Sequence, residues 1–335
     1  MVSQSALIEL RFVVPPDRDG WRLDRFLRDR IPRLSRSRIQ RIIEEEMVRE
    51  GGPAYKPSSR VRVGDVIVLH RPVEPEPPAP TDFGVVFEDD ALFVVDKPAG
   101  LAVHATARYC RHTLTWLLRE RFGPSRPVIA HRLDRETSGL LVCARTREAE
   151  RNVKQQFQDR TVTKEYLAVV RGSPSFDRDV IDIPLGPAQR SRVRIRMEPR
   201  NDALGQPART ECRVLERLRD CSLVLACPRT GRQHQIRAHL AAIGHPVIGD
   251  KIYGEDEQMF IDFVEHGLTT EDWERLELPR HALHAYCIEL RHPTTGQPVV
   301  FESPLAADLE DYLDRKRNEA AGPRHERGFG DPSDI

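Results

Sequence analysis

The chain lacks long hydrophobic runs and paired cysteines. No apolar stretch in the 335 residues approaches the roughly 18 residues of a membrane-spanning helix. The N-terminal segment has no basic region of the signal-peptide kind and includes Glu9. The six cysteines form no CxxC pair and lie in or near apolar runs, as small core residues do. These absences predict a reduced, cytoplasmic protein with no disulfide framework and no membrane partner.

Metal-binding patterns are also missing. The twelve histidines include no HExxH sequence and no Cys-His cluster. His234 and His239 are five residues apart, a spacing that does not place both on one face of a helix. The sequence therefore predicts no metal site.

The charge is balanced overall but unevenly distributed. The totals are 52 Lys and Arg against 52 Asp and Glu, which argues against a purely electrostatic binder of nucleic acid. Residues 17–71 nevertheless carry 14 basic and 9 acidic residues, whereas residues 255–279 carry 9 acidic residues and one Arg. The neutral total hides a basic front region and an acidic insertion.

Periodicity predicts an α+β protein. The larger part is expected to be a mixed, mainly antiparallel sheet flanked by helices, preceded by a small helical and β-hairpin domain. The predicted divisions are an N-terminal extension (1–16), the small domain (17–71), a stiff Pro-rich linker (72–82), the larger domain (83–316, with an insertion at 255–280) and a disordered tail (317–335). Strands are predicted near 165–170, 192–197, 208–217, 221–227, 283–290 and 298–302, and helices near 113–122 and 147–159.

One short polar segment, between two apolar runs that read as buried strands, is the most informative. It is His131-Arg132-Leu133-Asp134-Arg135-Glu136-Thr137-Ser138-Gly139. A lone Asp beside an Arg is ordinarily a surface salt bridge, but the whole segment resembles the signature of the RluA-type pseudouridine synthases. That family isomerises uridine to pseudouridine in RNA. Segments 96–101, 164–170, 231–240 and 244–254 resemble the same family in the same order.

The resemblance implies an RNA-modifying enzyme that needs no metal or organic cofactor. It also implies that Asp134 is the nucleophile, that the glycosidic bond is cleaved, and that the rotated uracil rejoins through carbon 5. A carboxylate suits a centre that gains positive character, and whether it attacks the sugar or the base stays open. Glu165 is expected on the opposite strand face, so no second acid is placed to activate water, which favours isomerisation over hydrolysis.

Arg237 is expected to stabilise the ionised Asp134, from a helix that begins near residue 233 and carries His234 on the same face. Tyr166 is expected to stack on the target base or to shuttle a proton. Arg132 shares the face of Asp134 and is expected to contact phosphate or to fill the gap left by an extruded nucleotide. His131 and Thr137 are expected chiefly to hold the loop, with RNA contact as the alternative.

Two basic regions are candidates for phosphate contact. Arg192 and Arg194 belong to residues 190–196, where arginines alternate with uncharged residues. On a strand these arginines would share one face and form either a stripe that binds phosphates or a charged edge that prevents pairing with another strand. The front region resembles an S-four-type RNA-binding module, with residues 51–53 in place of the usual Asn-Gly turn. Its second helix then presents three arginines, Arg36, Arg38 and Arg41, or is simply a solvated helix.

By family analogy, large-subunit ribosomal RNA is the expected partner, with transfer RNA next, and the protein is expected to be a monomer with no obligate protein partner. A non-catalytic RNA-binding or ribosome-assembly protein and a hydrolase that releases free uracil are the alternatives. The acidic insertion is expected to form a short helical cap that faces away from the RNA, because its charge repels phosphates.

Overall fold

The computed structural model describes residues 7–31, 36–45, 47, 55–72, 76–106, 108–254 and 256–321. The chain divides into two compact units, one up to residue 75 and one from residue 76 onward. The division falls within the segment predicted as a linker. The predicted turn at 51–53 and the part of the predicted tail beyond residue 321 lie outside the described residues.

Among its described residues, the first unit contains two α-helices, one short 3-10 helix (Pro16–Arg18) and one antiparallel strand pair. Its elements are β1 (Leu7–Val13), α1 (Leu23–Arg30), α2 (Arg36–Glu45) and β2 (Val66–Pro72). The apolar faces of the helices form a buried core with Ile67 and Leu69 of β2. β1 pairs with β2 along its length, so residues 7–13 belong to this unit and the predicted extension over 1–16 is wrong there. Residues 60–63 form no strand, only a bridge between Arg60 and Arg22.

The second unit is built on a ten-stranded sheet in the part of the chain that is described. Its strands are β3 (Gly84–Glu88), β4 (Leu92–Lys97), β5 (Val128–Ile129), β6 (Ser138–Ala144), β7 (Thr163–Arg171), β8 (Arg178–Asp182), β11 (Arg209–Arg217), β12 (Cys221–Pro228), β13 (Leu283–Arg291) and β14 (Pro298–Glu302). The main order is β3-β4-β6-β13-β7-β12-β11-β8, with β14 beside β13 and β5 beside β6. β6 and β13 are parallel and the other pairs antiparallel, so the predicted mixed sheet is confirmed.

Helices and a small hairpin complete the second unit. The helices are α3 (Leu114–Phe122), α4 (Arg147–Gln158), α5 (Gln235–Ala242), α6 (Glu257–Glu265), α7 (Thr270–Leu276) and α8 (Ala307–Ala321). The hairpin pairs β9 (Leu185–Pro187) with β10 (Met197–Pro199). None of the described helices is long and apolar enough to cross a membrane.

Two predicted segments differ from the structure. Residues 190–196 form the loop of the β9–β10 hairpin, which Ala188 N–H closes by donating to the Arg196 carbonyl at 3.0 Å, so the predicted strand over 192–197 is wrong. The predicted tail begins inside α8. There, Arg317 donates to Glu216 of β11 at 2.7 Å, and the earlier turns of the same helix bury Leu309, Tyr312 and Leu313 in the core.

A close approach of two strands positions the most informative segment. Gly139 is the last residue of this segment, in β6, and lies opposite Ala285 of β13 in the parallel pair. Its φ is +101°, and a Cβ atom at this position would lie 2.3 Å from the Ala285 carbonyl oxygen. Only glycine fits here, because any side chain would push β13 away. The loop before Gly139 is thereby anchored to the centre of the sheet.

Candidate active site

A cleft of about 610 Å³ opens beside the β5–β6 loop (residues 130–137) in the second unit. Its lining comes from this loop, the C-terminal end of α4, the start of β7, and the segment from β12 into α5. The cleft contains all the candidate residues that were predicted in the matching segments: His131, Arg132, Asp134, Thr137, Tyr166, His234 and Arg237. The fold therefore brings together residues from four separate parts of the sequence.

Asp134 is held by a buried guanidinium and is still open to the cleft. Arg237 reaches it from α5, with Nη1 2.9 Å from Oδ2 of Asp134. The side chain of Arg237 is 5% exposed, whereas that of Asp134 is 23% exposed. A charge-assisted hydrogen bond thus fixes one carboxylate oxygen of Asp134 while the residue keeps access to a ligand.

A second carboxylate holds Arg237 from the other side. Asp250 is fully buried and accepts from Nε of Arg237 at 2.6 Å and from Nη2 at 2.8 Å. Oδ1 of Asp250 also accepts from the backbone N–H groups of Ile252 and Tyr253. Burial opposes the charge on Arg237, but the attraction of Asp250 outweighs it, and the pKa of Arg237 lies above its ordinary value.

Asp250 was not among the site residues expected from the sequence. The available signal was its place in the segment 244–254, which resembles the family but has no obvious chemical role by itself. The preceding Gly249 has φ +75°, and a Cβ atom there would lie 2.0 Å from the carbonyl oxygen of Arg280. This tight turn, which needs glycine, brings Asp250 beneath α5.

His234 lies between Asp134 and Tyr253. Its backbone has φ +54° at the start of α5, a left-handed conformation that is uncommon for a residue other than glycine. Nδ1 is 3.1 Å from the Tyr253 hydroxyl, and Nε2 is 3.9 Å from Oδ1 of Asp134. Burial, followed by the charge of Arg237, lowers the pKa of His234 to about 4. The imidazole is therefore neutral at neutral pH.

Tyr166 lines the same cleft from β7. Burial, and then the charge of Asp134, raises the pKa of its phenol, so the hydroxyl stays protonated at neutral pH. The adjacent Glu165 lines a different cavity, with Arg178 and Val180 of β8, and is absent from the lining of the cleft. The predicted separation of these two neighbours onto opposite faces of the strand is confirmed.

Buried polar contacts hold the backbone of the β5–β6 loop. Nζ of Lys97 donates to the carbonyl of Arg135 at 3.1 Å, and Nζ of Lys251 donates to the Glu136 carboxylate at 3.1 Å. The Thr137 hydroxyl is 2.8 Å from Nε2 of His281. These bonds attach three consecutive residues after Asp134 to different parts of the fold.

His131 holds the beginning of the same loop. Its Nε2 accepts a hydrogen bond from Val142 N–H at 2.9 Å, and its ring lies against Phe157. Burial, and then the charge of Lys164, lowers the pKa of His131 to about 3. Its contacts and those of Thr137 are with the protein, in keeping with the loop-holding role that the sequence favoured.

The candidate arginines occupy different surroundings. Arg132 is exposed in the cleft. Arg192 and Arg194 lie in the β9–β10 loop outside the cleft lining, so the expected one-face stripe of a strand is wrong. Arg192 instead contacts Glu257 at 3.4 Å and Gln258 at 2.5 Å. The alternation of arginines over residues 190–196 predicted a strand, but these residues connect the two strands of a hairpin.

The first unit carries the other three candidates. Arg36, Arg38 and Arg41 are exposed on α2. Arg36 lies 3.4 Å from the buried Asp24, which also pairs with Arg22 at 2.9 Å. The basic helix predicted from the sequence is therefore present, and its arginines lie at the surface of their own unit.

The acidic insertion is helical, as predicted. It contains α6 and α7, whose Phe263 and Trp273 rings contact each other edge to face. Both rings lie beside Nζ of Lys251, at 5.0 and 5.6 Å from the ring centroids. Because Lys251 also binds Glu136, the insertion contacts a residue that holds the β5–β6 loop.

Comparisons with known proteins identify the family of this chain. Residues 91–242 match the family model described as RNA pseudouridylate synthase. An uncharacterized RNA pseudouridine synthase of Chloroflexus aurantiacus is 39% identical, over 92% of this chain and 94% of that protein. Ribosomal large subunit pseudouridine synthase D of Nitrosomonas europaea is 38% identical, over 92% and 88% respectively.

A solved structure has the same catalytic fold. Human RNA Pseudouridylate Synthase Domain Containing 1 is 28% identical and has a TM-score of 0.55, over 72% of this chain and 97% of that one. This similarity adds the fold to the extensive identity with the bacterial relatives. The chain is thus an enzyme, an isomerase of uridine in RNA, and belongs to the RluA-type RNA pseudouridine synthase family.

Proposed function

We propose that this synthase modifies large-subunit ribosomal RNA and that Asp134 is its nucleophile. The observation that carries the proposal is the Asp134 carboxylate, open to a cleft and held at 2.9 Å by a guanidinium that is itself almost completely buried. A carboxylate in this setting is fixed, desolvated on one side and accessible on the other. These are the properties that a nucleophile needs.

The reaction requires one carboxylate. In one route Asp134 bonds to the anomeric carbon as the bond from that carbon to N1 breaks and the uracil leaves as an anion. In the other route Asp134 bonds to the base, and the same glycosidic bond then breaks. The uracil turns within the cleft and carbon 5 bonds to the anomeric carbon, which releases the carboxylate in the first route, whereas in the second the carboxylate then leaves the base. Carbon 5 loses its proton and N1 takes one up, so the product is an isomer of uridine. Neither Glu165, on the other strand face, nor Asp250, buried against Arg237, is placed to activate water. This favours isomerisation over hydrolysis.

Arg237 has the role of positioning Asp134. Nε and Nη2 of Arg237 bind Asp250, and Nη1 binds Asp134. The guanidinium therefore cannot turn without losing a buried ion pair. The charge of Arg237 favours the ionised nucleophile. Asp250 in turn orients Arg237 and has no access to the substrate.

Tyr166 supplies a surface for the target base. Aromatic stacking contributes about 1–3 kcal/mol per base by truncation. The raised pKa of the phenol disfavours the phenolate, which supports stacking over removal of the carbon 5 proton as its main contribution. Arg132, exposed at the same cleft, is placed to contact phosphate or to fill the space that an extruded uridine leaves.

The RNA target is inferred from relatives and from the first unit. The relative from Nitrosomonas europaea is named for the large ribosomal subunit, and this supports ribosomal RNA over transfer RNA. We further propose that the first unit is an S-four-type RNA-binding domain, with Arg36, Arg38 and Arg41 on phosphates. The surface position of these arginines on one short helix supports that role.

Substitution of the nucleophile tests the proposal. With large-subunit ribosomal RNA transcribed in vitro and tritiated at carbon 5, the wild type releases tritium, and Asp134→Asn loses on the order of 10³-fold or more of this activity. Glu165→Gln, which removes a carboxylate from the opposite strand face, is the matched control and keeps the activity. Retained activity in Asp134→Asn would contradict the assignment of the nucleophile.

The same RNA distinguishes the alternatives. Free uracil in the mixture would identify a hydrolase, and RNA binding without tritium release would identify a non-catalytic protein. Release from transfer RNA but not from the ribosomal transcript would move the target to transfer RNA. Mapping pseudouridines in cells with and without the gene then locates the modified position.

A further inference from the structure

Arg160 occupies a backbone position that normally belongs to glycine. It follows α4 with φ +58°, in the left-handed region. The Arg160 N–H donates to the Phe157 carbonyl at 3.3 Å, and the Thr161 N–H donates to the Gln156 carbonyl at 3.0 Å. This pair of bonds is the Schellman motif, in which the residue at the position of Arg160 is usually glycine because a Cβ atom is strained there.

The side chain of Arg160 has no polar partner among the described residues that would offset this strain. It is exposed, and in the part of the chain that is described its guanidinium makes no ion pair and no hydrogen bond. Two other arginines of the cleft have partners: Arg229 pairs with Glu211 at 2.7 Å, and Arg232 donates to the carbonyl of Pro207. When no internal contact offsets the backbone strain of a residue at a cleft, the strain indicates that its side chain binds a ligand.

The cleft itself indicates what that contact is. Arg160 lines it together with Asp134, Arg132 and Lys164. Lys164 and Tyr166 are two residues apart on β7 and therefore share the face that looks into the cleft. Arg160 and Lys164 thus place two cations beside the platform proposed for the base. A nucleotide inserted there carries its phosphates past these cations.

We propose that Arg160, supported by Lys164, binds a backbone phosphate of the RNA next to the extruded uridine. The proposal rests on the proposed function for the identity of the RNA. It adds a substrate contact that the matching sequence segments did not single out. Arginine suits this task because its planar guanidinium binds two phosphate oxygens at once.

Replacing Arg160 by glycine separates a structural role from a binding role. Because glycine relieves the left-handed strain, Arg160→Gly is expected to melt at or above the wild-type temperature, by up to about 3 °C. In the inactive Asp134→Asn background, the same change is expected to weaken binding to the ribosomal RNA transcript about three- to tenfold. Between about 50 and about 200 mM KCl, the negative slope of log K against log salt should become shallower by about 0.7–0.9, the value for one phosphate contact.

Two control variants complete the design. Arg160→Lys keeps the charge and is expected to keep the salt slope. Arg151→Ala removes one exposed arginine of α4 that does not line the cleft, and is expected to leave both affinity and slope unchanged. In the active background, Arg160→Gly should raise KM for the transcript while kcat changes by less than about threefold.

The proposal is overturned by an unchanged salt slope in Arg160→Gly, by equal losses in Arg151→Ala, or by a fall in melting temperature that Arg160→Lys restores. Absence of RNA binding in Asp134→Asn overturns it as well. A wild type that binds the transcript but releases no tritium contradicts the proposed function instead. The binding slopes still decide the role of Arg160 in that case.

Discussion

Arg237 and Arg192 both pair with carboxylates, but their surroundings differ. Arg237 is 5% exposed and joins the buried Asp250 to Asp134, whereas Arg192 is 61% exposed and touches Glu257 on the first turn of α6. Removing one partner of a buried pair leaves a charge without water or counter-ion and costs about 3–5 kcal/mol, while an exposed pair contributes about 0–1 kcal/mol. Burial, more than charge, therefore distinguishes the arginine that holds the site from one at the surface.

The buried pair gives the largest expected effect. Asp250→Ala is expected to lower the free energy of unfolding by about 3–5 kcal/mol, because Arg237 then lacks its main buried partner. Tritium release should fall as well, since Arg237 is no longer oriented toward Asp134. Urea unfolding followed by circular dichroism measures the first effect, and the assay with the ribosomal transcript measures the second.

Glu257→Ala is the matched control for this change, because it removes a carboxylate partner of an exposed arginine. It should leave the free energy of unfolding close to that of the wild type, because an exposed pair is solvated in both states. Equal losses in the two variants would contradict the distinction between buried and exposed pairs.

Buried histidines give an intermediate effect that depends on pH. His131 and His234 have folded-state pKa values of about 3 and 4, lowered by burial, against about 6.5 in the unfolded chain. As the pH falls below 6.5 the unfolded state takes up protons that the folded state refuses, so stability present at neutral pH is lost. Each histidine is expected to contribute about 1.4 kcal/mol per pH unit between pH 6 and 4.5.

His131→Gln isolates one of these contributions. The Gln amide oxygen can accept the hydrogen bond from Val142 N–H without titrating, so the dependence of unfolding free energy on pH should become shallower by about 1.4 kcal/mol per unit. Urea unfolding at pH 7, 6 and 5 provides the measurement. His266→Gln, at an exposed position after α6, should keep the wild-type slope. A slope unaffected by His131→Gln would show that this ring titrates in the folded protein.

The exposed pair gives the smallest effect. Arg192→Ala is expected to change the free energy of unfolding by less than about 1 kcal/mol and tritium release by less than about twofold. The physical reason is that Arg192 is solvated and lies outside the cleft lining. A tenfold loss of RNA affinity would instead restore the β9–β10 loop as a phosphate-binding surface.

Much of the fold was predictable because its elements have regular apolar periodicity. The buried runs of β6, β7 and β12 read as strands, and the spacing along α4 and α5 read as helices. Errors occurred where local composition was ambiguous. The alternating arginines at 190–196 have the periodicity of a strand but lie in a hairpin loop. The end of α8 has the polar composition of a disordered tail but contacts the sheet.

The candidate site could be predicted from the chemistry of one residue, Asp134, and from the resemblance of several segments to one family. Asp134, Tyr166 and Arg237 lie in segments with a distinctive order, and the structure brings them to one cleft. Asp250 and Arg160 were missed for different reasons. The importance of Asp250 lies in a contact with a helix thirteen residues away, and that of Arg160 lies in its backbone conformation.

The sequence by itself determined most of the strands and helices and singled out the acid that we propose as the nucleophile, because these depend on residue type and on spacing along the chain. It also predicted Arg237 as the partner of that acid, but only the tertiary structure showed that the buried Asp250 holds Arg237 in place. The parallel pairing at Gly139 and the turn at Gly249 bring distant segments within hydrogen-bond reach. The burial that follows makes the ion pair between Asp250 and Arg237 costly to break. Such partners depend on how closely two backbones approach, a property that no local pattern of residues records.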